Sequence, residues 1–429
     1  MPSAIALPRI ALALLLLAIG AGSSRAAVRP IGEEFTVKSG QVNNEHNPTV
    51  AFGSSGRGVV VWTDSHDGLR VRAIYPSGAF AVEDRVVVQN SELPEIPGRG
   101  IVTERKDPAI LVDADGGFWL FWTEEVDELK IDFFDETRTI LDRDIWGRHF
   151  DASGEPTGAG FRLNATKDGF QRRPRAVRVP CAVPDPDCGE GNLLVAWESD
   201  DRMPAVGPDD GIFGRLLSAS GQMRSAQLRL APASPANGVA LATDGRGNVI
   251  ASWVAPDPTG RPLVRARFFN AGGKALGPQF AVSDGTGGVQ LHPAVARDGD
   301  SNRVLVLFDR TMPQLGRSRI IGRRFTSPGK PAGEPFSVSR GARDFLPIAA
   351  ATRTAAVVLW LRWSPSPAIQ GAGVEEGSQS PGDPFTLTVW SRFSMGVGAR
   401  PDGKLLAVWE GYGLGSSQAV LGRWLASVP

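Results

Sequence analysis

The sequence predicts an all-β protein, a seven-bladed β-propeller of four-stranded blades whose ring is closed by an N-terminal strand added to the last blade. Three observations carry that expectation. An apolar run closing on an aromatic recurs at Trp62, Trp122, Trp197, Trp253, Phe308, Trp360 and Trp409. The repeats are mostly about 50–60 residues apart, a period typical of propellers and arrays. Around each run lie further short strands punctuated by Gly, Pro, Asp and Asn. The strand tally balances only as a ring, because the chain's first strand has fourth-strand character and its last unit stops after a third.

Taken in order, residues 1–26 read as a signal peptide. Arg9 supplies a positive start, residues 10–18 an apolar run, and Ser24-Arg25-Ala26 a small-x-small cleavage site. The apolar run is too short to cross a bilayer. The remainder, 27–429, reads as one exported soluble domain, periplasmic or extracellular, with blades at about 48–88, 108–163, 174–230, 236–282, 293–338, 347–387 and 395–427 plus 34–38. The closing strand is "EFTV" (34–37).

Within each blade the first strand is led by a proline, namely Pro48, Pro108, Pro174, Pro293 and Pro347; the fourth and seventh units lack it. The second strand carries the aromatic column. It is apolar at consecutive positions, so both its faces are buried and the aromatic fills the space between blades. Hairpins such as "DADGG" (113–117), "TDGRG" (243–247) and "PDGK" (401–404) join the two with residues that tolerate positive φ. The third strand ends in small-Arg, at Arg72, Arg148, Arg215, Arg267, Arg323 and Arg423, and the sixth unit has lost it. One arginine per blade is a scaffold pattern. Its guanidinium is expected on the blade tryptophan, or on backbone carbonyls or a carboxylate just after the Trp. Short alternating strands such as "QFAV" (279–282) and "PFTL" (384–387) complete the blades.

These columns resemble a repeat family of secreted bacterial proteins whose pattern runs F-x-V-N, a Pro-led strand, D-G-x-V-V-x-W and I-x-G-R-x-F. Residues 144–163, "DIWGRHFDASGEPTGAGFRL", are the most similar stretch. The resemblance implies an extracytoplasmic β-propeller and, in some members, adhesive or calcium-associated large proteins; it implies no reaction.

Bulk composition narrows the partners. Formal net charge is zero, with 46 basic and 46 acidic residues, which argues against nucleic acid or an anionic membrane as main partner. Cys181 and Cys188, in "PCAVPDPDCG", suit a disulfide in an oxidising compartment; the alternative is a metal pair, but no further Cys or nearby His completes a zinc set. Of the histidines, His46 and His292 sit just before a repeat's first strand, and His149 follows a Gly-Arg pair. No H-E-x-x-H, G-x-S-x-G, Walker loop or G-x-G-x-x-G is present. No cofactor is required. Calcium is the ion that Asp113, Asp115, Asp298 and Asp300 would suit, as D-x-D pairs on tight turns.

Function is sought in the insertions: 89–107 entering blade two, 123–144 within it, and 198–211 within blade three. These share one face of a propeller, where loops carry specificity. Residues 123–144 hold nine acids and three bases around Phe133 and Phe134. The expected function is therefore a monomeric binding module meeting a protein or glycan through Phe133, Phe134, Asp127, Glu128, Asp200 and Asp201. The alternative is a polysaccharide hydrolase or lyase that uses carboxylates of this set.

Overall fold

A computed structural model describes residues 27–38, 44–92, 98–132, 135–165, 169–181, 189–200, 210–232, 236–283, 288–363, 366–389, 394–412 and 418–428. The expected signal peptide, Phe133, Phe134, Cys188 and Asp201 lie outside these residues. The protein is all-β; its one helical element among the described residues is a single 3-10 turn, Pro313–Leu315. No described helix is long and apolar enough to cross a membrane.

The strands form antiparallel units in chain order. The first comprises Glu45–Phe52, Gly58–Asp64, Gly68–Ile74 and Arg85–Gln89. The second comprises Gly98–Val112, Phe118–Ile131, Glu136–Phe150 and Phe161–Arg162. A single parallel bridge, Phe170 to Arg143, ties it to the third, which is Phe170–Val179, Asn192–Asp200, Gly211–Leu217 and Leu228–Arg229. The fourth is Asn237–Thr243, Val249–Pro256, Pro262–Phe269 and Phe280–Ala281. The fifth contains Val289–Arg297, Arg303–Met312, Arg317–Thr326 and Phe336–Ser337, and the sixth Asp344–Ala351, Ala355–Arg362, Ala368–Glu375 and Phe385–Val389. The last unit supplies Met395–Ala399, Leu405–Tyr412 and Gln418–Val428. Its fourth strand is Ala27–Thr36, paired antiparallel with Gln418–Val428. That strand is longer than "EFTV" alone: Ala27 to Ile31 pair with Val428 to Trp424, and after an irregularity Phe35 meets Gly422.

The first strands of successive units lie side by side, and the last unit's first strand lies beside that of the first unit. The aromatic column sits between units. Trp122, Trp197, Trp253, Phe308, Trp360 and Trp409 each pack in a cluster drawn from their own and the preceding unit. Trp62, in the first unit, packs against Leu406, Val408 and Val420 of the last. All seven are at most 3% exposed. Burying a large aromatic is worth several kcal/mol, and truncation to Ala costs about 3–5 kcal/mol.

The arginine column bonds backbone carbonyls as expected, but its aromatic partner is not the column tryptophan. The guanidiniums of Arg148, Arg267 and Arg323 lie over Phe150, Phe269 and Phe325, two residues on in the same strand, at 5.6–5.8 Å. Strand alternation puts residues i and i+2 on one face, so a phenylalanine there is within reach and the column tryptophan is not needed. Arg323 and Arg423 donate to the carbonyls of Val282 (3.1 Å), just after the preceding unit's fourth strand, and Leu387 (3.2 Å), within it. Arg72 makes the same bond to the Val37 carbonyl, beside the closing strand.

A buried ion pair latches that strand. Lys38 is 6% exposed, and its ammonium reaches Glu45 at 2.5 Å and Asp64 at 3.2 Å, both fully buried in the first unit. Burial pushes the Asp64 carboxyl up, but the backbone N–H groups of Asp67 and His66 and the Lys38 charge outweigh it and hold it below its ordinary 3.8. A depressed folded value contributes stability that is present above 3.8 and lost as pH falls below it. Lys38→Ala takes the buried ammonium from Glu45 and Asp64 and leaves Asp64 the Arg70 guanidinium at 3.4 Å. It is expected to cost about 3–5 kcal/mol, measured by denaturant unfolding at neutral pH, and to shrink the loss of stability seen on acidification. Equal unfolding midpoints for the two proteins would overturn the latch.

Candidate functional site

The first strands of six units share an irregularity that the proline column only hints at. Register shifts fall between His46 and Thr49, Lys106 and Ala109, Arg172 and Arg175, Asn237 and Ala240, Leu291 and Ala294, and Phe345 and Ile348. At each shift one residue is left-handed: Asn47 (φ 49°), Asp107 (53°), Arg173 (52°), Gly238 (69°), His292 (49°) and Leu346 (54°). Proline follows in five of the six, where its missing N–H harms no ladder bond. The fourth unit does without proline because Gly238 takes the conformation freely. For a bulky residue such a backbone costs about 1–3 kcal/mol, so these positions are held by their surroundings.

What they build is a polar belt above the aromatic column. Asn47 donates to Asp107 at 3.5 Å and accepts from Ser394 at 3.3 Å, joining the first unit to the second and the last. Thr123 donates to Asp107 (3.2 Å) and accepts from the Arg173 backbone N–H (3.0 Å). Glu198 pairs with Arg173 at 3.4 Å and accepts from the Gly238 N–H at 2.8 Å. His292 meets Asp309 at 2.6 Å, and His46 meets Glu410 at 3.4 Å. Glu198, Asp309 and Glu410, just after column aromatics, therefore serve the belt, whereas Asp64 holds Lys38 and Glu124 pairs with Arg105; among the described residues none of the five pairs with the arginine column. The Arg173 and His292 side chains stay open to solvent, 54% and 45% exposed.

From this end rises the largest departure from the expected loops. Residues 98–107 and 123–144 are mostly strand: Gly98–Val112, Phe118–Ile131 and Glu136–Phe150 run on past the belt as a three-stranded tongue. Alternation explains it. Val102, Glu125, Asp127 and Leu129 are buried on the inner face, with Glu104 facing Glu125 and Val102 facing Asp127 across the ladder. Asp127 and Glu128, expected to act together, point to opposite faces; Glu128 pairs on the outer face with Arg99.

On the inner face Glu104, Glu125 and Asp127 bring carboxylate oxygens within 4.8 Å of one another. Lys106 and Arg143 pair with Glu125, and Arg138 bridges Glu104 and Asp127, the latter at 3.1 Å. Three cations thus match three acids, so a divalent ion would enter only by displacing one of them. The two buried carboxylates titrate apart. Burial, then the Glu125 charge, push Asp127 up. Burial also acts on Glu125, but Lys106 and Arg143 outweigh it and hold that group below the usual range. The Asp127 Oδ1 atom is buried without a hydrogen-bond partner. Beside the tongue, Asp200 pairs with Arg172 at 2.5 Å, and burial pushes its carboxyl up.

The remaining expected sites lie at the other end of the units. Asp113 is held by His149 at 2.8 Å and by Arg178, and Asp115 accepts from the Gly117 N–H at 2.9 Å. Asp298, fully buried, pairs with Arg303 (3.0 Å) and Arg324 (2.9 Å), and Asp300 lies 3.9 Å from Arg297. These carboxylates face arginine, histidine or their own turn. Cys181 follows the strand Phe170–Val179, and its expected partner is outside the described residues.

No family model matches the chain, and no curated protein matches it. Solved structures do. A protein of unknown function from Dyadobacter fermentans DSM 18053 is 11% identical over 94% of this chain and 99% of its own, with a TM-score of 0.53. An ulvan lyase, from a new family of polysaccharide lyase, is 10% identical over 92% and 96%, with a TM-score of 0.56. A fungal alcohol oxidase of the AA5 family is 12% identical over 92% and 76%, with a TM-score of 0.50. At such identities the likeness concerns the fold, which is all-β and propeller-like.

The opposite shifts of Glu125 and Asp127 generate a test of the tongue. Glu125 contributes stability at neutral pH that is lost as pH falls through its depressed value, whereas ionised Asp127 costs stability above its raised one. Glu125→Gln takes the shared carboxylate from Arg143 and leaves Lys106 only Glu104 at 4.0 Å, and is expected to cost about 2–3 kcal/mol, since both cations keep some access to water. Asp127→Asn, which mimics the protonated form, is expected to cost about 1 kcal/mol or less. Amide hydrogen exchange over 123–131 at neutral pH checks both; equal loss of protection in the two variants would remove the assignment.

Proposed function

We propose that this chain is an exported seven-bladed propeller, one domain over 27–429 closed by Ala27–Thr36, that binds polysaccharide at the end carrying the belt and the tongue. The observation that carries the reading is the convergence there of polar side chains from separate units, held on left-handed backbone, with Arg173 and His292 left open to solvent. Strained residues persist only where the surroundings over-determine them and cluster at binding sites. A rim of hydrogen-bonding groups beside a rigid projection suits a hydroxyl-rich chain. The likeness in fold to a polysaccharide lyase is consistent with that ligand class. Phe133 and Phe134 belong to the reading as aromatic contacts for the chain, and a Cys181–Cys188 bridge as a staple.

A second reading, cleavage of the bound chain, is favoured by one observation. Paired carboxylates whose surroundings drive their titration apart are the arrangement by which acid and base roles are divided. In that reading Asp127 carries the proton and Glu125 stays ionised.

Electrophoresis through gels holding neutral or acidic polysaccharides tests binding, and the appearance of new reducing ends or unsaturated uronate tests cleavage. The protein is run beside a variant in which residues 128–139 are replaced by a Gly-Ser turn joining the paired positions 127 and 140, with Asp127→Asn added because its cation Arg138 leaves with the segment. Retardation that the variant loses, with unfolding unchanged, is the expected result. Migration unaffected by every polysaccharide would overturn the binding reading. Product formation abolished in Asp127→Asn would establish the second reading, and its absence in the native protein would end it.

A further inference from the structure

The fifth unit's hairpin presents cations that, unlike those described in the tongue, have no carboxylate beside them among the described residues. Arg310 and Arg319 face each other directly across the ladder between Arg303–Met312 and Arg317–Thr326, and Arg317, two residues before Arg319, shares their face. Like charges directly opposite destabilise a sheet. In the tongue Lys106, Arg138 and Arg143 each have a carboxylate. Arg310, Arg317 and Arg319 have none among the described residues. The neighbouring acid, Asp309, points to the other face and holds His292. Gln290, across the ladder from Arg310, is buried and already bonded to Ser283 and the Val264 N–H. The Arg310 Nε atom is buried with no partner, and its guanidinium lies 5.8 Å from the Phe308 ring centroid.

We propose that Arg310, Arg317 and Arg319 form an oxyanion subsite that takes carboxylate or sulfate groups of the polysaccharide. This rests on the binding reading above and narrows its ligand class to acidic chains. The guanidinium fork matches both oxyanions with paired N–H donors. An anion between the two facing arginines removes the repulsion that the protein alone leaves in place. The hairpin end of these strands is the same end of the units as the tongue, since both are connections between second and third strands.

The test has two arms. Thermal unfolding is followed in sodium sulfate and in sodium chloride at equal ionic strength, for the native protein and Arg319→Gln. In dilute chloride Arg319→Gln is expected to melt higher, because the facing charge is gone. The extra stabilisation by sulfate over chloride is expected to be large in the native protein and severalfold smaller in the variant. Equal sulfate effects would overturn the subsite. In the second arm, gels hold dextran sulfate or neutral dextran. Retardation by dextran sulfate is expected to fall severalfold in Arg317→Gln/Arg319→Gln, with the behaviour in neutral dextran unchanged. Equal retardation of native protein and variant would overturn the subsite and leave polysaccharide binding standing. No retardation in either gel would overturn polysaccharide binding as the context, while the sulfate melts still decide whether the arginines hold an oxyanion.

Discussion

No unit of this protein can bury its own aromatic. Each second strand is apolar on both faces, so its column residue needs the sheet beside it, and the sheet that covers it belongs to the preceding unit. Trp62 has no preceding unit in the chain and is covered by the last one. Stability is therefore a property of neighbours. The one column position without a tryptophan shows how strictly the volume is kept. Around Phe308 the cluster carries Phe268 and Phe325, with Phe280 stacked on the first at 6.2 Å and tilted against the second at 4.9 Å, so the smaller column ring sits among further aromatics.

Above that apolar wall the chain changes character within one residue. Polar residues follow five of the seven column aromatics, as Thr63-Asp64, Thr123-Glu124, Glu198, Asp309 and Glu410, and Thr123, Glu198 and Asp309 meet left-handed residues of the first strands instead of another sheet. Packing rigidity below and polar pairing above are thus consecutive segments of the same strands. A functional end built this way inherits the precision of the core, which is what a rigid scaffold with variable edges offers. The tongue extends the same ladder into solvent by making its inner face neutral through matched charges where the core uses hydrocarbon.

The repeated features were legible from sequence: the aromatic column, the hairpins and the arginine of six third strands with its backbone carbonyls, as was the pairing of an N-terminal strand with the last unit. The arginine's aromatic partner was not, because a guanidinium reaches either a Trp or a Phe and only the strand alternation decides. The belt was hidden for a different reason. Its left-handed positions are Asn, Asp, Arg, Gly, His and Leu, a set with no common chemistry, so the proline after them was the visible sign and its absence after Gly238, where Val239 stands, looked like a missing feature. The tongue was hidden by its own charge. Glu125 and Asp127 occupy inward positions that would be apolar in an ordinary strand, and the cations that make this tolerable, Arg138 and Arg143, come from the next strand of the tongue, beyond its turn.

The strand Ala27–Thr36 pairs with Gln418–Val428, near the opposite end of the sequence. This pairing orders events in time. The earliest of these strands to be made has no partner until the latest has appeared, so the sheet containing both is the last to be completed. Until then the edge of the last unit and the hydrophobic flank around Trp62 are bare, with the hazard that any unpaired edge carries in a crowded compartment. Joining two segments so far apart costs loop entropy that grows only logarithmically with distance. The delay is thus a matter of kinetics, and it places the period of greatest vulnerability to aggregation and proteolysis at the end of assembly.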